Sequence, residues 1–261
     1  MMKEKEKYWE KRGREGYLYR NEYFYTITPI GFYYKRREIL LEKIENELAK
    51  FKSNANVLDF GCGDGFYSFY FKKKFPGFNF FGCDISNAMI SKAKQLADEK
   101  QIDCCFKQSD SKIPFDKKFD FVIIIAVFAH VLEQKTLSKI VKNIYECLSP
   151  KGKVVLFECT SKRSRRGKTW HRRSTEYYRE LFIKNNFKTT TENLISFPFY
   201  NWVGRPILYI ITYIIFGGNF IRANSNKHYQ KLTEIIINVS NKFNSLFKSN
   251  DGNTFFIFEK L

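Results

Sequence analysis

The chain is 261 residues long, and 45 Lys and Arg against 27 Asp and Glu give it a formal net charge of +18. This length fits one large α/β domain, with or without an inserted subdomain, and allows a sizeable core. Because 44% of the residues are apolar and 18% aromatic, the composition excludes disordered, collagen-like and simple coiled-coil proteins. The six cysteines form no CxxC pair, so the sequence predicts reduced thiols in a cytosolic protein, without a zinc site or a disulfide framework.

The first residues are too charged for a signal peptide. The longest apolar run, residues 207–216, is shorter than the ~20 residues needed to span a bilayer. It predicts a buried or interfacial helix. We therefore expect a cytoplasmic protein, with peripheral contact to the inner face of the membrane left open.

Residues 1–52 combine clustered aromatic residues with an amphipathic pattern between Ile39 and Phe51, so they predict an N-terminal aromatic cap followed by a helix. Strands and helices then alternate, which predicts an α/β fold with a doubly wound, mostly parallel sheet of seven strands. The predicted fold also has an N-terminal helical cap and a helical insertion before the last strand. The first five strands are predicted at residues 56–60, 79–83, 103–107, 119–126 and 153–158. Helices are predicted between them at residues 66–75, 86–100 and 134–148.

The part of the chain after residue 158 departs from this alternation. A helix opens at Ser174, since serine is a good N-cap, and strands are predicted at residues 187–195 and 254–259. The intervening residues 196–253 are too many for an ordinary loop, and 207–216 and 232–247 look helical. We predict a core of residues 53–195 and 254–261, with residues 196–253 as a helical insertion and acceptor lid.

The strongest local signal is the run VLDFGCGDG at residues 57–65. A strand ends at an acid, a glycine-rich turn follows, and a helix begins. Glycine permits the tight turn and the close approach of a ligand, and a helix N-terminus offers unpaired N–H groups. The GxGxG spacing departs from the dinucleotide-binding fingerprint.

With this motif the chain resembles the class I S-adenosylmethionine-dependent methyltransferases, whose first motif is hhDhGCGxG. The resemblance covers about residues 50–195 and the last strand, and further motifs follow in the family's order. Lys151 stands where the family's turn before strand five has its first glycine. The later motifs are FGCD (81–84), FKQSDS (106–111), FDFVIII (119–125) with AVFAHVL (126–132), and LSPKGKVVL (148–156).

The resemblance implies an S-adenosylmethionine cofactor whose ribose hydroxyls bind Asp84 and whose adenine amino group contacts Asp110. Each of Asp59 and Asp84 taken alone could instead cap a helix, and residues 109–111 could form an ordinary Asx turn. Aromatic and Arg contacts to the methionine end of the cofactor are assigned to Tyr25, Tyr33 and Arg37. The full predicted cofactor set also contains Asp59, Gly61, Cys62, Gly63, Gly65, Asp84, Ile85, Asp110, Ser111 and Ala126.

Two histidines are candidate general bases for a hydroxyl acceptor. The family places the residue facing the methyl group just past strand four, where this chain has His130, and the pKa range of histidine suits a base. The alternative is a histidine packed at the start of the next helix. His171 is the second candidate, and His228 has no supporting context. A metal-independent reaction is expected.

The run KRSRRGKTWHRR at residues 162–173 has seven cations and no acid. Arginine suits bidentate contact with phosphate or carboxylate, so we predict a small, phosphate-bearing acceptor, such as a phosphorylated or nucleotide-linked sugar of a cell-surface polysaccharide, methylated on oxygen. The overall excess of lysine also fits an AT-rich coding sequence. The predicted acceptor-binding residues are Arg163, Arg165, Arg166, Arg172 and Arg173.

Three alternatives stay open. An RNA methyltransferase would explain the charge, but AVFA stands at residues 126–129 where an NPPY-type tetrapeptide would indicate a base amino acceptor, and we expect no nucleic acid partner. A lipid or quinone methyltransferase at the membrane surface would explain the apolar insertion helix and its interfacial aromatics. A protein that binds the cofactor without turnover is the third. The sequence does not predict an oligomeric state.

Overall fold

The computed structural model of the chain describes residues 4–14, 30–195, 203–243 and 252–261. The chain folds into two compact units. The sheet unit comprises Met1–Tyr19, Ile44–Leu194 and Asn253–Leu261, and the helical unit comprises Arg20–Lys43 and Ile195–Gly252. The predicted division into cap, core, insertion and lid stays a prediction about function.

The sheet has seven strands, which are β1 (Asn56–Phe60), β2 (Asn79–Asp84), β3 (Cys104–Gln108), β4 (Phe119–Ile125), β5 (Leu148–Thr160), β8 (Phe187–Ile195) and β9 (Gly252–Lys260). Their order in the sheet is β3-β2-β1-β4-β5-β9-β8. Parallel pairing joins β1 to β2 and β4, β2 to β3, and β4 to β5. The predicted seven-stranded, mostly parallel sheet is confirmed. The chain order reverses between β1 and β4, and open α/β sheets bind ligands at the carboxyl ends of strands at such a switch point.

Helices cover the central strands because those strands are apolar on both faces. The run Phe121–Ile125 is buried throughout, as a central parallel strand should be. Serine side chains cap two helices, Ser86 accepting from the Met89 N–H and Ser174 from the Tyr177 N–H. The helices and turn of this unit are α1 (Glu4–Arg14), α3 (Phe66–Lys74), α4 (Asn87–Lys100), a 3₁₀ turn (Phe128–His130), α5 (Gln134–Cys147) and α6 (Thr175–Ile183).

The predicted N-terminal helical cap is confirmed by α1, whose sequence is dominated by charged residues. A short antiparallel hairpin of β6 (Arg165–Arg166) and β7 (His171–Arg172) within the basic segment was not predicted. Strand β5 also begins earlier than expected, immediately after α5.

Helix α2 (Ile30–Leu48) has residues in both units, and the described residues of the helical unit form three further helices. The predicted helix at 207–216 is confirmed, and the helix predicted at 232–247 begins earlier, at Lys227. Residues 244–247 lie outside the described part of the chain. Within the described ranges, no helix has the length and apolar character to cross a membrane. The three helices are α7 (Arg205–Phe216), α8 (Phe220–Ser225) and α9 (Lys227–Phe243).

Candidate cofactor and acceptor site

The glycine-rich turn after β1 lies at the switch point of the sheet. Its glycines are left-handed, with φ of 78° at Gly61, 54° at Gly63 and 83° at Gly65. A Cβ on Gly61 would lie 2.3 Å from a Val127 methyl, whereas a Cβ on Gly63 would meet no atom within 4 Å. The turn therefore packs closely against the chain after β4 and leaves open space at its centre, where a ligand can approach the backbone.

Asp84, at the end of β2, is brought to this turn as predicted. Its carboxylate accepts the Gly63 N–H and the Ser86 N–H, each at 2.9 Å, one on each oxygen. Burial raises the pKa of Asp84, and these N–H donors oppose that rise. A carboxylate has about four acceptor positions, so Asp84 can still accept two ribose hydroxyls. The turn and the acid fit the adenosyl group of S-adenosylmethionine.

Asp59 and Cys62 are buried beside the glycine-rich turn. The buried Asp59 carboxylate accepts the Ser68 hydroxyl at 2.9 Å, which ties β1 to α3. Burial raises the pKa of Asp59 to about 7. Cys62 is buried in an apolar cluster with Phe69 and Phe106. Their predicted contacts with the cofactor stay predictions.

The predicted adenine-side residues follow β3. The Asp110 carboxylate accepts from the backbone N–H and hydroxyl of Ser111, and the N–H bond is the main cause that lowers its pKa. Ser111 is buried, and Asp110 is exposed. Ile85 lies nearby, its carbonyl accepting from the Gln108 amide at 3.0 Å. The local bonds agree with the turn interpretation of residues 109–111, and the adenine contact of Asp110 stays a prediction.

Ala126 lies directly after β4 in the left-handed region, with φ of 56°, which is uncommon for a residue other than glycine. Its N–H donates to the Phe157 carbonyl at 2.9 Å. Of the predicted N-terminal contacts, Tyr25 lies outside the described residues. Tyr33 lies on α2 and its side chain is outside the description, and Arg37 is a half-buried residue of α2. Their roles stay predictions.

Helix α1 reaches the same region, and its contacts there were not predicted. The Glu10 carboxylate accepts the Ser86 hydroxyl and the Ala88 N–H, both at 3.1 Å, at the N-terminus of α4. One residue earlier, the Trp9 ring meets the His130 ring edge-to-face with centroids 4.9 Å apart. One helix thus contacts both the segment after β2 and the segment after β4.

His130 ends the 3₁₀ turn that follows β4. Its Nδ1 lies 3.0 Å from the Thr169 carbonyl oxygen. A carbonyl only accepts, so a neutral His130 carries its proton on Nδ1, and Nε2 is the basic nitrogen. This tautomer suits the predicted role of general base.

Two buried charged residues hold the turn that carries His130. The Glu158 carboxylate, at the end of β5, accepts the Phe128 N–H at 2.5 Å and the Ala129 N–H at 3.3 Å. The Arg173 guanidinium donates to the carbonyls of Phe128 at 3.0 Å and Val131 at 2.6 Å. Burial raises the pKa of Glu158 to about 7. The sequence offered one signal for Glu158, an acid at a strand end.

Arg173 differs from the other predicted acceptor-binding arginines. It is only 2% exposed, and its donors face backbone carbonyls, so the structure gives it a positioning task that the sequence reasoning did not foresee. Arg163, Arg165 and Arg166 are exposed, and Arg172 is half-buried. The basic segment therefore provides a surface of arginines around one buried arginine.

The hairpin borders a groove of about 910 Å³. Lys135 and Arg166 supply positive charge, and His171 and Tyr177 also line it. The His171 Nε2 lies 2.7 Å from the Ser164 hydroxyl, and burial, followed by the charges of Arg173 and Arg166, lowers the pKa of His171.

Two polar atoms beside this groove lack partners. The His171 Nδ1 and the Tyr177 hydroxyl are both buried and have no hydrogen-bond partner among the described residues. A buried polar atom without a partner calls for a water, an ion or a ligand. Tyr177 was not predicted as a site residue, and a tyrosine in a helical pattern gives no signal of such a role.

Residues 57–152 match the family described as a methyltransferase domain. The match contains the glycine-rich turn, Asp84 and His130. The matched segment is similar to methyltransferase domains and makes up less than half of the chain. The open turn at Gly63 and the Asp84 carboxylate beside it agree with this similarity.

Two relatives share part of the sequence. The ubiquinone biosynthesis O-methyltransferase of Rickettsia akari is 29% identical over 57% of this chain and 53% of its own length. The malonyl-[acyl-carrier protein] O-methyltransferase 1 of Ilyobacter polytropus is 29% identical over 44% of this chain and 42% of its own length. This chain therefore spans about half the length of the relatives it matches.

A solved structure shows the same fold. The O-methyltransferase from a trans-AT PKS multienzyme of Brevibacillus brevis, in complex with S-adenosyl-L-homocysteine, superposes with a TM-score of 0.56 at 19% identity. The likeness covers 79% of this chain and 66% of that one.

Proposed function

We propose that the chain transfers a methyl group from S-adenosylmethionine to an oxygen atom of a small acceptor. Three observations support this: the open turn at Gly63 with Asp84 beside it, the basic Nε2 of His130, and two relatives that are both named as O-methyltransferases. Oxygen acceptors gain from a general base because a hydroxyl is a weak nucleophile until it loses its proton.

S-adenosylmethionine, when bound, supplies an electrophilic methyl group. The protein's part is to align the acceptor oxygen with that group and to accept a proton. In this proposal Asp84 and the glycine turn hold the adenosyl end. His130 Nε2 would accept the proton that the acceptor hydroxyl loses on methylation, and S-adenosylhomocysteine would be the second product. The Nδ1–H bond to Thr169 fixes the imidazole ring, and Glu158 and Arg173 hold the backbone of the turn that carries it.

We further propose that the acceptor is anionic. The observation behind this step is the groove beside the hairpin, which Lys135 and Arg166 line. His171 Nδ1 and the Tyr177 hydroxyl lie beside the same groove, are buried, and have no hydrogen-bond partner among the described residues. A phosphate would neutralise the charges of Lys135 and Arg166, and its oxygens would accept a hydrogen bond from the Tyr177 hydroxyl. A phosphorylated or nucleotide-linked sugar, or a related precursor of a cell-surface polysaccharide, has this chemistry.

A lipid or quinone acceptor is the second candidate. It is favoured by the exposed isoleucines of α7 and by the relative named for ubiquinone biosynthesis. An acceptor that combines an apolar chain with a phosphate would satisfy both observations.

The test is transfer of label from methyl-labelled S-adenosylmethionine to a panel of sugar phosphates, nucleotide sugars, polyprenyl phosphates and hydroxylated quinones. The proposal expects labelled product with a phosphate-bearing member, with the label on oxygen by mass spectrometry. Labelling of quinones alone would support the second candidate. Binding of S-adenosylmethionine in calorimetry, measured alongside, separates the wrong acceptor class from failure to bind the cofactor.

A further inference from the structure

Helix α7 exposes most of its apolar side chains. Its two buried residues are Leu208 and Thr212. The isoleucines at positions 210 and 214 are 58% and 74% exposed, and Tyr213 is 76% exposed. A helix on the surface of a soluble unit normally turns its apolar stripe inward, so the exposed stripe indicates an apolar environment outside the helical unit.

The buried side of α7 is fixed by hydroxyl groups. The Thr212 hydroxyl donates to the Leu208 carbonyl at 2.7 Å and lies 2.6 Å from the Tyr229 hydroxyl of α9. On α9, the buried Thr233 and Ser240 hydroxyls donate to backbone carbonyls four residues earlier. Small residues and hydroxyls between helices are typical of helices that contact lipid on their outer faces.

Helix α9 has an exposed face of its own. The residues Lys227, Lys231, Ile235 and Val239 follow one another at i, i+4 spacing, so they share one face of the helix. All four are exposed. This face thus passes from two cations to two aliphatic side chains.

Most large exposed apolar side chains of the described residues belong to residues 203–243. Those of this segment are Val203, Ile207, Tyr209, Ile210, Tyr213, Ile214, Ile215, Ile235, Val239 and Phe243, against Trp170, Ile183, Leu194 and Leu261 elsewhere. Such a concentration marks an interaction surface rather than scattered exposure.

The charge of the same segment selects the partner. Residues 203–243 contain five cations and one acid, Glu234, so the net charge is 5 − 1 = +4. Arg205 and Arg222 flank α7 and are exposed. Isoleucines with tyrosines on one side and lysine or arginine around them are the composition of a helix that lies in the interface of an anionic bilayer.

Length excludes a spanning role for α7. Its 12 residues extend about 18 Å at 1.5 Å per residue, against a hydrocarbon core of about 30 Å. We propose that α7 is a membrane-surface anchor that inserts its isoleucines at the headgroup boundary of an anionic lipid bilayer. The proposal concerns lipid binding and does not depend on the identity of the acceptor.

The experiment is flotation of the full chain with vesicles of phosphatidylcholine mixed with phosphatidylglycerol, and with phosphatidylcholine alone. The chain should float with the anionic vesicles and much less with the neutral ones. The double variant Ile210→Ser with Ile214→Ser should lose at least about tenfold in partition coefficient, because the inserted aliphatic area is lost. The double variant Arg205→Gln with Arg222→Gln, at the two exposed cations that flank α7, should lose binding only to the anionic vesicles.

The matched control is Ile183→Ser with Leu194→Ser, which removes two exposed apolar side chains from the sheet unit and should leave flotation unchanged. Calorimetry with S-adenosylmethionine and thermal unfolding confirm that each variant is folded. Failure of the native chain to float, or equal loss in the control variant, overturns the proposal. If the isoleucine substitutions instead dissolve a dimer seen by light scattering without vesicles and leave flotation unaffected, a second copy covers this face, and the proposal is wrong.

Discussion

The Nδ1 atom of His130 donates to the Thr169 carbonyl across 39 positions of sequence, at 3.0 Å. The bond fixes the tautomer and hence directs the basic nitrogen. We expect His130→Ala to lower kcat by about 10²–10⁴-fold, the usual contribution of a general base. The dissociation constant of S-adenosylmethionine should hardly change. Single-turnover transfer and calorimetry measure the two quantities.

His171→Ala serves as the comparison for His130, because His171 is the other candidate base. Burial and the neighbouring arginines lower the pKa of His171, and its Nε2 contacts Ser164. We therefore expect a change mainly in the KM of the acceptor. If His130→Ala retains nearly full activity and His171→Ala loses it, the assignment of the base is wrong and passes to His171.

Asp84 should determine cofactor affinity. Asp84→Ala removes the acceptor for ribose hydroxyls, at roughly 1.5–3 kcal/mol per charge-assisted bond before compensation. Affinity for S-adenosylmethionine in calorimetry should fall by at least about tenfold, which corresponds to about 1.4 kcal/mol. Asp98→Ala, an exposed acid on α4, is the control and should bind normally. Unchanged affinity of Asp84→Ala would remove this acid from the cofactor site.

The parts of the fold that local sequence determines were predicted well. The apolar residues of β4 and the glycine turn define a buried strand and a tight bend by themselves, and parallel topology then brings Asp84 to Gly63. A helical N-terminal cap was predicted, but the position of α1 was not, because it depends on Glu10 meeting Ser86, 76 residues away. The hairpin was missed because it pairs Arg165 with Arg172, and two like charges give no strand signal.

Arg173 shows a different limit of sequence reasoning. The run of arginines predicts a solvated or anion-binding surface, and nothing in the run distinguishes the one residue whose guanidinium turns inward to the Phe128 and Val131 carbonyls. Those acceptors belong to the turn after β4, which only the tertiary structure places there. Composition predicted the charge of the surface but could not assign a task to each cation.

Glu158 should make stability depend on pH. Its pKa is raised from 4.5 to about 7 in the folded chain, so between these values the folded state holds more protons than the unfolded state. The contribution of Glu158 to the free energy of unfolding is therefore fully present below pH 4.5, and it is lost as the pH rises to about 7. The loss amounts to roughly 3 kcal/mol at about 1.4 kcal/mol per pKa unit.

The pKa of Asp59 is also raised to about 7, so Asp59 lowers the free energy of unfolding with rising pH in the native chain and in Glu158→Gln alike. The difference between the two proteins therefore isolates the effect of Glu158. Urea unfolding at pH 5 and pH 7.5 should show a smaller fall in the free energy of unfolding for the variant than for the native chain. Equal falls would mean that Glu158 does not retain its proton in the folded state. Loss of the carboxylate bonds to the 128–130 turn should also lower kcat through His130.

Trp9 should act as a positioning residue for His130. The edge-to-face contact of the two rings is of a kind that contributes about 0.5–1.5 kcal/mol, so Trp9→Ala should lower kcat by about three- to tenfold. Cofactor affinity should stay within error, and the acidic limb of the kcat–pH profile should shift, because the surroundings of the imidazole change. Trp9→Phe keeps an aromatic edge and should restore most of the rate. If the pH profile of Trp9→Ala is unchanged, Trp9 only holds α1 in place and does not position His130.

The arginines of the hairpin should govern acceptor affinity. Arg173 is unsuitable for the test, because its reversal would also release the turn that carries His130. Arg166→Glu with Arg172→Glu instead reverses two charges on the strands of the hairpin and should raise the KM of an anionic acceptor by at least about tenfold, while the dissociation constant of S-adenosylmethionine stays the same. The effect should weaken at high salt. The matched control, Lys52→Glu with Lys73→Glu, reverses two exposed charges before β1 and at the end of α3, and its KM should be native. If both double variants show the native KM, the hairpin is a solvated surface and the acceptor is not held through its negative charge.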